Sequence, residues 1–110
     1  MISQIKAALA PSLASLGVLA HWKGWDEKAV SFIDKAENWA PGLKSFEGGY
    51  YEVYRLLSLY KLRPEASVRV ALQEALKRLK EYVPSDFDMA ESLDMLQSRV
   101  TEQLRNAART

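Results

Sequence analysis

The chain has 110 residues, 48% of them hydrophobic and 26% charged, with a formal net charge of +1. That length suits one domain spanning residues 1–110, whose core closes without cross-links, and the composition is far from that of a disordered chain. Cysteine is absent, which excludes disulfides, thiolate metal sites and a cysteine nucleophile, while the near-neutral charge gives no general steering toward nucleic acid.

Ile2, Ile5, Leu9, Leu13 and Leu16 recur at steps of three and four and mark one face of a first helix. Pro11 inside that pattern predicts a kink or a restart, because proline lacks an N–H and clashes with the preceding turn. Gly17 reads as the stop, and residues 18–25, with Gly24, as a loop or a short helical turn. The uncharged stretch from Ala7 to Trp22 is interrupted by Pro11, Ser12, Ser15, Gly17 and His21. It falls short of the roughly 20 apolar residues of a membrane span and reads as a native helix rather than a signal peptide. The expected location is the cytoplasm.

Asp26 is placed to cap a second helix, whose face is Ala29, Phe32, Ile33, Ala36, Trp39 and Ala40. Pro41-Gly42 ends it. After Gly48-Gly49, residues 50–62 are apolar around most of the circumference, interrupted only by Glu52, Arg55, Ser58 and Lys61. Such a helix is either central in its domain or covered by a partner. Pro64 suits the first position of a fourth helix with the stripe Val68, Leu72, Leu76, Leu79 and Val83. Pro84 ends it. Ser85-Asp86-Phe87-Asp88 resembles a capping box for a long last helix from Asp86 to about Ala107, with the seam Leu93, Leu96, Val100, Leu104 and Ala107. The expected fold is therefore all-α, a compact bundle of four to five helices with a long C-terminal helix.

Chemistry is sparse. His21 is the single histidine, so paired-imidazole metal motifs are excluded and it reads as a loop or interface histidine. Asp86, Asp88, Glu91 and Asp94 lack the glycine at which a Ca²⁺ loop turns, and read as acids at a helix start. No metal and no cofactor are expected. Tyr54, His21 and Glu52 are the groups an apolar enzyme pocket would have to use, without a spacing that supports one. Arg69, Lys77, Arg78 and Lys80 make a basic face without interleaved aromatics, the alternative reading being a nucleic-acid-binding regulator.

Aromatic clustering stands out. Nine of the eleven aromatics lie between Trp22 and Tyr60. Trp and Tyr dominate interface hot spots, so Trp22, Trp25, Tyr50, Tyr51 and Tyr54 are the expected contact residues for a protein partner. The expected function is a non-catalytic interaction or regulatory protein that occupies a partner's surface, as an adaptor, chaperone, inhibitor or antiactivator of bacterial or phage type. Small helical antiactivators and secretion chaperones share the size and class, an analogy at the level of fold alone. A homodimer is expected and no membrane.

Overall fold

A computed structural model describes residues 2–44, 49–82 and 90–108. It holds five helices: α1 (Ile2–Trp22), α2 (Asp26–Trp39), α3 (Tyr50–Leu62), α4 (Ala66–Tyr82) and α5 (Ala90–Ala108). Among the described residues there is no strand. The all-α bundle is the observed architecture. Phe46, Gly48, Val83, Pro84, the box at 85–88 and the side chains of Glu91, Leu93 and Ala107 lie outside the described residues.

α3 is the hub. It packs against all four other helices, and Val53, Tyr54, Leu56, Leu57, Ser58 and Tyr60 are buried on it. Its near-continuous apolar surface is thus explained by neighbours on every side. Ile33 of α2, Leu72, Leu76 and Leu79 of α4, and Leu96 and Val100 of α5 close the same core. Each fully buried Leu, Ile or Val of this set contributes about 1.5–3 kcal/mol relative to exposure.

α1 departs from the pattern its sequence suggests. Gly17 does not stop it, and Pro11 sits within it at an exposed position. The helix instead ends at Trp22, and Gly24 just past that end has a left-handed φ of 80°. The N–H of Trp25 reaches the carbonyl of Ala20 at 2.8 Å, and that of Gly24 reaches His21 at 3.0 Å. These two bonds are the Schellman closure that a glycine just past a helix end allows.

The face α1 turns inward is made of small residues. Ala10, Ala14, Gly17 and Ala20 are buried together with His21. A Cβ added at Gly17 would lie 2.6 Å from Cγ1 of Ile33 and 3.1 Å from the carbonyl oxygen of Ala29. Gly17 is therefore a point of close approach between α1 and α2, not a terminator. Of the aliphatic face read from the sequence only Leu13 packs inward, against Ala10, Ala14, Ala36 and Leu43; Ile2, Ile5, Leu9 and Leu16, joined by Leu19, point the other way and are 50–72% exposed.

Two helix starts also differ in detail. Trp25, not Asp26, is the N-cap of α2, without a side-chain cap bond, and Asp26 is its first helical residue. Pro64 precedes α4, whose first backbone bond runs from Arg69 N–H to the carbonyl of Glu65 at 3.1 Å. At the far end of α2 the Glu37 carboxylate accepts from the N–H groups of Gly42 (2.9 Å) and Lys44 (2.8 Å). Burial opposes its charge, but these N–H groups and the Lys44 ammonium outweigh that and hold its pKa below the usual value.

Candidate functional site

His21 lies on the inner side of the last turn of α1, fully buried. Its Nδ1 is 2.8 Å from the Ser58 hydroxyl of α3, that hydroxyl donates to Asp26 Oδ1 of α2 at 2.8 Å, and Arg99 Nε of α5 donates to His21 Nε2 at 2.9 Å. Arginine only donates, so Nε2 accepts and the ring proton sits on Nδ1. Nδ1–H then donates to Ser58 Oγ, leaving the serine hydrogen for Asp26. One proton assignment satisfies the whole chain, and it ties four helices together.

A serine, a histidine and an aspartate in contact invite comparison with nucleophilic hydrolases, and the order here is wrong for that chemistry. An activated serine gives its hydrogen to a free imidazole nitrogen. Ser58 gives it to a carboxylate while accepting from the imidazole, and it is fully buried. Burial first, and then the charges of Arg99 and Lys61, push His21 down to a pKa of about 4 against the pull of Asp26, so the ring is neutral near pH 7. The cavity beside it, about 210 Å³ between His21, Leu57, Lys61, Arg99 and Gln103, is smaller than ordinary ligand pockets.

Aromatic rings continue from this clamp. His21 meets Tyr54 edge-on at 5.5 Å and Trp22 at 5.9 Å, Tyr54 meets Tyr50 at 5.1 Å, and Tyr50 meets Tyr51 at 5.6 Å. The Arg99 guanidinium lies 4.1 Å over the Trp22 ring, a cation–π contact that reinforces its bond to His21. Four of the five aromatic candidates thus form one chain of contacts, but their exposure differs. Tyr54 is a core residue at 4% exposure, and burial pushes its phenol pKa well above the usual value. Tyr50 and Tyr51 are half-buried against the core. Trp22 and Trp25 are exposed, Trp25 apart from the others with Lys28 Nζ 5.2 Å from its ring.

No protein-family model, no curated protein and no solved structure matches this chain.

The remaining candidates scatter. Arg69, Lys77, Arg78 and Lys80 are all exposed on α4, but at 100° per residue Arg78 lies on the opposite side from Arg69 and Lys80. Three cations on one face are not a continuous basic stripe. Glu52 is far from the imidazole in role: it pairs with Arg55 (3.1 Å), which also holds Asp34 (2.6 Å). Burial raises the Glu52 pKa, with Arg55 and Lys44 pulling it back. Among the described residues no three His, Cys, Asp or Glu side chains gather at a metal site, and no helix is long and apolar enough to cross a membrane.

The surface feature that sequence reasoning did not single out is the outer face of α1. Ile2, Ile5, Leu9, Leu16 and Leu19 lead into Trp22 at its C-terminal end, all exposed. Their periodicity was legible, but their direction was not: alanine and glycine carried the inward face, and they give little hydrophobic signal.

Proposed function

We propose that this is a non-catalytic protein-binding module whose docking face is the outer side of α1, extended by Trp22 and Trp25. One observation carries the reading: six large apolar side chains lie exposed along one helix that contains a single lysine, Lys6. Together they expose on the order of 600 Å² of apolar surface, the upper end of the largest patch on ordinary monomers. Water makes such a stripe costly to leave open, and a partner helix or sheet relieves that cost.

Catalysis finds no support in the clamp, whose hydrogen bonds leave neither a free base nor a reachable nucleophile. The module therefore acts by covering a surface, as an adaptor, chaperone or inhibitor does, and we place it in the cytoplasm of a bacterial or phage system. The test is capture from cells that express the chain, after cross-linking, with wild type and a Leu9→Glu/Leu16→Glu double variant as bait. A polypeptide cross-linked to wild type and lost from the variant is expected. Equal recovery by both baits would remove α1 as the docking face.

A further inference from the structure

The stripe on α1 has a finer order that points to its occupant. Ile2, Ile5, Leu9, Ser12, Leu16 and Leu19 are all exposed and follow one another at steps of three, four, three, four and three. That is the a/d seam of a coiled coil, without a facing helix among the described residues. We propose that the partner of this seam is a second copy of the same chain, α1 against α1, antiparallel. This rests on the reading of α1 as a docking face and names what covers it in the free protein, a copy that a partner protein must displace.

Three features favour a copy. The first is symmetry of register. In an antiparallel pair centred between Ala10 and Pro11, Ile2 of one copy meets Leu19 of the other, Ile5 meets Leu16, and Leu9 meets Ser12. Every layer then holds at least one large aliphatic, and the small Ser12 is matched twice by a leucine. A parallel pair would instead set Ser12 against Ser12 in the middle of the seam.

The second feature is charge. A coiled-coil partner of different sequence is selected by charges flanking the seam. Here the flanking positions are Lys6, Leu13 and Ala20 on one side and Ala8, Ser15 and Trp22 on the other. A single lysine selects no charged partner, whereas an isologous two-fold contact needs none, and Lys6 then faces Leu13 of the other copy rather than its own counterpart. The same scarcity disfavours an anionic membrane, whose docking segments carry clusters of about four to eight basic residues. The third is area. Two copies of the five seam aliphatics bury about 1,000 Å² of surface, the size at which a specific but reversible pair is expected.

The purified full chain tests this by sedimentation equilibrium from about 1 to 200 µM, a range that brackets a micromolar dissociation constant. A reversible dimer of twice 12.4 kDa is expected. Leu9→Glu buries a carboxylate in two layers of the pair and should weaken it by at least about 100-fold, with helical circular dichroism unchanged because Leu9 is exposed in the single chain. Orientation is read with introduced thiols, which are the only ones present. Mixed under mild oxidation, Leu9→Cys and Ser12→Cys chains should form the mixed disulfide in preference to either homodisulfide. A wild-type chain that stays monomeric overturns the self-pairing, as does a dimer indifferent to Leu9→Glu or a preference for homodisulfides. Co-sedimentation of a monomeric chain with phosphatidylcholine/phosphatidylglycerol vesicles would assign the seam to lipid instead. A monomer in solution leaves the docking reading to its own experiment, since capture from cells does not depend on self-association.

Discussion

At the scale of single residues the molecule turns on His21. Its neutral form is built in: Nε2 accepts from a permanent cation, and Nδ1–H is used by Ser58. The sign of the pH effect follows. The folded-state pKa of about 4 lies below the ordinary 6.5, so between these values the unfolded chain binds more protons and stability falls as pH falls. Above pH 7 the contribution is fully present. Urea unfolding at pH 7.5 and 5.5, above the ordinary carboxylate range, should differ by roughly 1 kcal/mol from this group alone. His21→Gln should abolish that difference, even if it lowers stability at both values. Ser58→Ala strands the buried His21 N–H and takes a donor from the part-buried Asp26 carboxylate, an expected loss of about 1–3 kcal/mol in the same assay. None of this was legible in the sequence. A lone histidine beside a tryptophan gives no sign that its partners lie 37 and 78 residues further on, and Asp26 read as a helix cap because capping is its commonest use at such a position.

Among the elements, legibility followed side-chain size. The stripe of α4 is made of large residues and turns inward as its 3.6-residue period implies, with Leu72, Leu76 and Leu79 buried, while α2 mixes sizes and buries Ile33 between Ala29 and Ala36. α3 read as central or partner-covered, and its neighbours make it central. α1 inverts the rule because close approach to α2 selects residues without bulk, and its large residues are left outside. Gly17 states the difference most sharply. As a mid-helix glycine replaced by alanine it would gain about 1 kcal/mol of helix propensity. With Ile33 Cγ1 at 2.6 Å and backbone oxygen at 3.1 Å from the new Cβ, overpacking of about 1–3 kcal/mol should win. Gly17→Ala is therefore expected to lower the urea midpoint, whereas Ala14, already accommodated on the same face, shows that one methyl is tolerated a turn away. α5 is pinned to α1 chiefly by Arg99. Arg99→Met keeps the stem but loses both the imidazole bond and the cation–π contact, so α5 amides should exchange faster with solvent. Removing that cation also lets the His21 pKa rise toward its ordinary value, which shrinks the acid destabilisation described above.

For the whole molecule, the bundle divides its work between an inner clamp and an outer seam. The clamp joins α1, α2, α3 and α5 and fixes α1 rigidly at its C-terminal turn. What α1 presents outward is then an apolar edge anchored at that end, rather than a loose amphipathic segment. The aromatic middle that drew attention in the sequence serves both sides: Tyr54 belongs to the core, Trp22 bridges the core to the edge, and Trp25 stands on the surface. A site-specific photo-cross-linker tests the docking role of this edge most directly. Placed at Leu16 in cells that express the chain, it should yield a cross-linked polypeptide, while the same group at Lys77 on α4 should yield none. Cross-links from Lys77 and silence at Leu16 would contradict the assignment of α1 as the docking face.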